Sequence, residues 1–402
     1  MMLPFPQPTE VAMTLRNLRR LLMAAVLVAG TATAQAQVPK EIHEALLKIG
    51  QIVDPACTAK LYRPLMPPAD FNTYWPVGAA APVSTAALYP GITIARDQSF
   101  GPDAKDVVDV FTGNSGNNRP IFIYVPGGGG NKIEQQVREG NAFYDNIGRW
   151  AAKNGMVGVL VQRHPGTGNW DDGGRDLSLA VDWVKANAGR FRGDGNRIFI
   201  AAHSAGTGPL GVYVGHPERW KNGVQVQGAV YMSGNPVPTA GGGGGGRGGP
   251  GGPGGPGANA PGSTCGTSAN MASNDGAISG PSGQRAAGGG PGGGGRGRGG
   301  QPLTPEQIAE RDNLPGFKAT PVKVMLVRAE LDPGVMGEML ASDKALHDEM
   351  CKLDGDKAKD GTGHCPAMLF ARLHSHMSEV FAFDTGDTSV SKPILDWIKS
   401  IK

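Results

Sequence analysis

The stretch that most constrains this chain runs from Asn196 to Leu210, NRIFIAAHSAGTGPL. It opens on a buried-strand pattern at Ile198, Phe199 and Ile200 and breaks at Ala202-His203-Ser204-Ala205-Gly206. A helix-compatible segment follows. A serine at the centre of a sharp strand-to-helix turn sits in a strained backbone conformation, so small residues are needed on both sides of it. Ala202 stands where such a turn usually carries its first glycine, and it meets the size requirement. The pentapeptide alone specifies little. Its meaning depends on which other parts surround it, and in what order.

Around it, strand-like and helix-like runs alternate. Ile92–Ala95 and Val107–Phe111 read as two edge strands. Arg119–Val125 (RPIFIYV) and Met156–Gln162 (MVGVLVQ) are near-continuous apolar runs, the signature of strands buried on both faces. Val226–Tyr231, Val322–Val327 and Ala367–Leu373 complete the strand set. Helices are predicted over Phe143–Lys153, Leu177–Asn187 and Lys392–Ile401 from their apolar spacing. The alternation predicts an α/β class chain with a mostly parallel sheet covered by helices on both faces.

Three segments stand outside that pattern. Residues 1–36 carry a basic region at Arg16, Arg19 and Arg20, a short apolar run from Leu21 to Gly30 and an Ala34-Gln35-Ala36 cleavage site. They read as a signal peptide cleaved near Ala36, too short for a stable membrane span, which predicts a periplasmic or secreted protein. Residues 37–90, with a short amphipathic run at Glu41–Ile52, read as an N-terminal extension packed on a domain spanning 91–402. Residues 237–302 form a Gly/Pro-rich insertion, with 28 glycines between Gly241 and Gly300 and almost nothing to bury, so disorder is expected there.

Removing residues 1–36 leaves 35 basic and 34 acidic side chains. That balance argues against nucleic acid as a partner, and it favours a spacer over an RNA-binding reading of the GRGG pieces. No membrane partner is expected after leader cleavage, and the oligomeric state is not legible. Four cysteines in an exported chain permit two disulfides. Cys351 and Cys365 flank a short polar loop and suit a local staple, which leaves Cys57 and Cys265 by elimination. No C-x-x-C pair supports a metal site.

Acyl transfer needs a nucleophile, a base, an orienting acid and donors for the oxyanion. Ser204 is the candidate nucleophile. His203 beside it shapes the turn, with its side chain directed away from that of Ser204. The donors are the backbone N–H of Ala205 and one from the glycine run after the earlier buried strand, Gly128 or Gly129, where no Cβ blocks the approach. The run VKVMLVRAELDP delivers Asp332 just past a strand as the acid, with Glu330 as the alternative. The loop after the last strand supplies His376 as the base, with His374 as the alternative. Two histidines at i, i+2 without a third spaced ligand make a poor zinc site.

The segments YVPGGGG at Tyr124–Gly130, RDLSLAVDWVKAN at Arg175–Asn187, IAAHSAG at Ile200–Gly206, ELDP at Glu330–Pro333 and HSHMSE at His374–Glu379 carry a resemblance. From about Ile92 to the C-terminus, apart from the insertion, the chain resembles serine esterases of the α/β-hydrolase superfamily. It is nearest to the bacterial carboxylesterase and feruloyl-esterase-like branch. PGGG stands where many such esterases carry HGGG. The order Ser204, Asp332, His376 is that superfamily's chain order. The resemblance implies hydrolysis of small-molecule carboxylic esters through an acyl-serine intermediate, with no metal or cofactor. Amide cleavage on the same fold, and a non-catalytic binding protein with the glycine-rich insert as tether, are the alternatives.

Overall fold

The computed structural model describes residues 40–51, 53, 55–62, 65, 89–128, 130, 132, 144–163, 169–237, 303–354 and 363–402. The leader 1–36, much of the 37–90 extension, Gly129, Phe143, Cys265 and the insertion from 238 to 302 lie outside the described residues.

Eight strands make one sheet: β1 Ile92–Ser99, β2 Val107–Gly113, β3 Arg119–Val125, β4 Val157–Val161, β5 Gly193–His203, β6 Gly228–Met232, β7 Lys323–Leu331 and β8 Ala367–Ser375. Their order in space is β1-β2-β4-β3-β5-β6-β7-β8. From β4 to β8 every neighbouring pair is parallel, whereas β2 pairs antiparallel with both β1 and β4. Parallel neighbours require long crossovers. The helices Asp145–Lys153, Asp172–Asn187, Thr207–Gly215 and Ala341–Cys351 lie in them.

Strand alternation divides the core between the two faces. Phe122, Tyr124, Phe199 and Ala201 join one apolar cluster with Trp150 and Trp397. Ile121, Ile123, Ile198 and Ile200 join the other with Leu177, Val181 and Leu210. Both faces of β3 and β5 are therefore covered, which is why these strands read as unbroken apolar runs. The amphipathic helix Lys40–Ile49 contributes Ile42, Leu46 and Ile49 to the first cluster and ends at Gly50, whose φ is 82°.

Two expectations are corrected. β1 is an edge strand but β2 is not, being flanked by β1 and β4. Its interior position takes Asp109 out of water, where Arg96 Nη1 at 2.8 Å and Lys132 Nζ at 2.6 Å neutralise it. β8 also runs past the expected Leu373 to Ser375. Leu373 adopts a φ of 67°, its N–H donates to the Glu330 carboxylate at 2.8 Å, and pairing resumes between Leu331 and Ser375. His374 therefore lies inside the strand, and His376 stands just beyond its end.

Candidate active site

The turn after β5 has the geometry that its sequence demands. Ser204 has a φ of 52°, in the left-handed region that an L-residue enters at a cost. A short 3₁₀ turn, Ser204–Gly206, leads into the helix Thr207–Gly215, and Thr207 Oγ1 donates to the Ser204 carbonyl at 2.7 Å. The surroundings leave little room. A Cβ on Gly206 would lie 2.7 Å from Pro126 O, and one on Gly127 would lie 3.0 Å from Ser204 Cβ. Ala202 fits because it is a fully buried strand residue, paired with Val125 at the same end of the sheet.

The glycine run follows β3 directly. Gly128 has a φ of 48°, and Gly130 N donates to Gly127 O at 2.9 Å, closing a tight turn beside Ser204. Arg163 holds that turn from outside, donating to Pro126 O at 3.3 Å and also to Gly128 O. Ala205 is exposed. Gly127 was not singled out by sequence, although a Cβ there would crowd both Ser204 Cβ and the His203 carbonyl at 3.0 Å.

Asp332 follows β7 and is buried. Its Oδ1 accepts from His376 Nδ1 at 2.5 Å, so the candidate acid and base meet across 44 residues of chain. Glu330 is engaged elsewhere, at Leu373 N. Burial pushes the Asp332 carboxyl up, but the His376 ring and then the Arg328 guanidinium overcome this and hold it well below the usual range. Arg328 reaches Asp332 Oδ2 at 3.0 Å, grips Asp343 through two 2.9 Å bonds and donates to Gly234 O at 2.7 Å. Neither Arg328 nor Asp343 was legible as part of the site. The alternation VMLVRAEL makes Arg328 look like a solvent-facing strand residue, yet it is 5% exposed.

His376 retains 7% exposure. No hydrogen bond joins it to Ser204 among the described residues, and His203 is what brings the two together. His203 adjoins Ser204 in the chain. Its ring centroid lies 4.6 Å from that of His376, and its Nε2 donates to the His376 carbonyl at 2.9 Å.

His374 points into a different environment. It is fully buried between Ser378 at 3.0 Å and Ser389 at 2.7 Å, with Asp387 at 3.6 Å. The cysteines Cys351 and Cys365 form a disulfide. His347 lies against it, and the three ligand atoms fall within 4.8 Å of one another, but both sulfurs are bonded to each other.

A mostly parallel sheet with a strained serine between β5 and its helix, and an acid–base pair delivered by β7 and β8, is the arrangement of an α/β-hydrolase fold. Residues 107–240 match the model of the carboxylesterase family. Esterase LipC of Mycobacterium tuberculosis is 26% identical over 147 residues, which is 36% of this chain. The match also spans 36% of that relative's own length. Among solved structures, esterase B of Lactobacillus rhamnosis superposes over 78% of this chain and 86% of its own, with 11% identity and a TM-score of 0.48. The hyperthermophilic esterase of Pyrobaculum calidifontis superposes over 94% and 97%, with 14% identity and a TM-score of 0.46.

Proposed function

We propose that this chain is an exported serine hydrolase that cleaves small carboxylic esters through an acyl-serine intermediate. The observation that carries the reading is the 2.5 Å Asp332–His376 bond beside an elbow whose serine has a φ of 52°. Asp332 fixes the imidazole with Nδ1 as donor, which leaves Nε2 as the basic nitrogen. Nε2 takes the Ser204 proton as Oγ attacks the ester carbonyl, and the C–O bond to the alcohol breaks as His376 returns the proton to the leaving oxygen. Water, activated in the same way, then releases the acid and regenerates Ser204.

The tetrahedral oxyanion is held by the backbone N–H of Ala205 and one from the glycine run, Gly128 or Gly129. The tight turn at Gly127–Gly130 and its bond to Arg163 support a fixed donor there. The matched carboxylesterase segment supports an ester over an amide substrate. Export rests on the leader 1–36.

Fluorophosphonate labelling of the mature protein, with mass mapping of the modified residue, tests the assignment. A label on Ser204 is expected. A folded protein that takes no label, or takes it elsewhere, would sink the mechanism.

A further inference from the structure

One buried group has no part in the reaction above: the Glu379 carboxyl. It is fully buried, in the short helix Ser378–Phe381, and neither oxygen makes a hydrogen bond among the described residues. Leaving a buried polar group unpaired costs about 1–3 kcal/mol, and more if it is charged, so its presence asks for a cause. Its Oε1 lies 3.5 Å from His203 Nε2. The same nitrogen stands 2.9 Å from the His376 carbonyl oxygen. A carbonyl can only accept, so Nε2 carries the hydrogen and His203 is held in one tautomer.

We propose that His203 and Glu379 are positioning residues for the catalytic base: His203 fastens the elbow to the main chain of His376 through its N–H, and Glu379 flanks that N–H so that the ring keeps its orientation. The inference rests on the esterase reading of Ser204 and His376. β5 and β8 are separated in the sheet by β6 and β7, so no ladder hydrogen bond can set the distance between the nucleophile and the base. Asp332 orients the imidazole of His376. His203 fixes the backbone that carries it. Because the two rings also touch, a rotation of His203 would displace His376 directly.

Burial disfavours the charged form of both members of the brace. Burial, and then the His376 ring, bring His203 down to about 3. Burial, and then the negative charge of Asp332, push Glu379 well above the usual carboxyl range. His203 lies beside Glu379, and Asp332, Arg328, Asp343, the Ser233 hydroxyl and the Tyr124 phenol are near enough to act on it electrostatically. Ser233 favours the charged form but lacks good hydrogen-bond geometry with it. A neutral Glu379 adds no second anion beside the Asp332–His376 pair, where it would favour the charged imidazole and withdraw the base.

The test is steady-state hydrolysis of p-nitrophenyl acetate by the full mature chain over a range of pH, with the folded fraction followed by circular dichroism. Parent, Ser204→Ala, His203→Leu, His203→Gln and Glu379→Gln are compared. His203→Leu should lower kcat at least about tenfold with KM nearly unchanged, the pattern of lost transition-state alignment. His203→Gln, whose side-chain N–H can reach the same carbonyl, should recover most of that loss. In Glu379→Gln the acid limb of kcat/KM should stay in place.

A folded His203→Leu protein with kcat within about twofold of the parent overturns the brace. So does a shift of the Glu379→Gln acid limb to lower pH by about one unit, which would mark an ionised carboxylate. If His203→Leu does not fold, the remaining arms decide, because a His203→Gln protein as impaired as about tenfold also refutes the role. Activity surviving in Ser204→Ala would bring down the esterase reading itself, whereas its loss alongside a fully active His203→Leu would bring down the brace alone.

Discussion

Two sets of Ser, His and Asp side chains lie at the end of β8, two residues apart in the chain. In one, His376 bonds Asp332 through Nδ1, retains slight exposure and lies beside the Ser204 elbow. In the other, His374 is fully buried and both ring nitrogens are occupied. Ser389 donates to Asp387 at 2.6 Å, so it accepts from His374 Nε2, and Ser378 then supplies the proton facing Nδ1. Asp387 also accepts from Tyr62 at 3.0 Å. The residue types are the same in both sets. What differs is a nitrogen left for chemistry and a path to solvent. The inner set is a clasp joining the segment around Tyr62 to the C-terminal region.

The sharpest way to break this contrast is at the serines. Ser204→Ala should lower turnover by at least about 10⁴-fold, while Ser389→Ala should leave kcat within a few-fold of the parent. Equal losses in ester hydrolysis would erase the distinction. At the acids, Asp332→Asn should reduce kcat by about 10³–10⁴-fold through the wrong tautomer. Asp387→Asn should instead lower unfolding free energy in urea by about 1–3 kcal/mol with little change per folded molecule. His374→Ala should likewise destabilise by about 1–3 kcal/mol, readable as a lower urea midpoint rather than a lower kcat.

The smallest effects concern pH. His203 sits at about 3 in the folded chain against an ordinary 6.5. The unfolded chain therefore takes that proton first, so this contribution to stability is complete above pH 6.5 and is lost as pH falls toward 3. Glu379 has the opposite sign. Its folded value is raised above 4.5, so its contribution is complete below that pH and declines as pH rises. Urea titrations at several pH values should show His203→Gln flattening the acid side and Glu379→Gln the neutral side. Unchanged slopes would mean that these groups do not titrate as described.

Much of the fold is written in local pattern. All eight strand-like runs are strands, because burial on both faces leaves β4, β6 and β3 beyond Arg119 with no charged interruption to confuse their period. Their order is not local: nothing in RPIFIYV or MVGVLVQ says that β3 lies inside β4. The helix Ala341–Cys351 was missed because Asp343, Lys344, His347 and Asp348 dilute its apolar face, and Asp343 is buried on Arg328. At the candidate site, Ser204, Asp332 and His376 could be named as candidates because each stands at a strand end in the right chain order, and the structure joins the last two. Gly127, Arg328 and Glu379 were not. Their roles arise from neighbours far away in sequence, and as isolated letters they read as a loop glycine and two surface charges.

Arg328 has a consequence for descent. It lies between two buried carboxylates, so loss of Asp332 or Asp343 alone leaves charge uncompensated, and breaking a buried ion pair costs about 3–5 kcal/mol. Ser204 has no such tie, and a glycine in its place would even relieve backbone strain. If the proposed mechanism holds, a lineage that gave up catalysis would therefore lose the serine early and keep the aspartate, held in place by folding alone. In a distant relative, a surviving Asp at this position would testify to an intact core, and the serine would be the residue to read for activity.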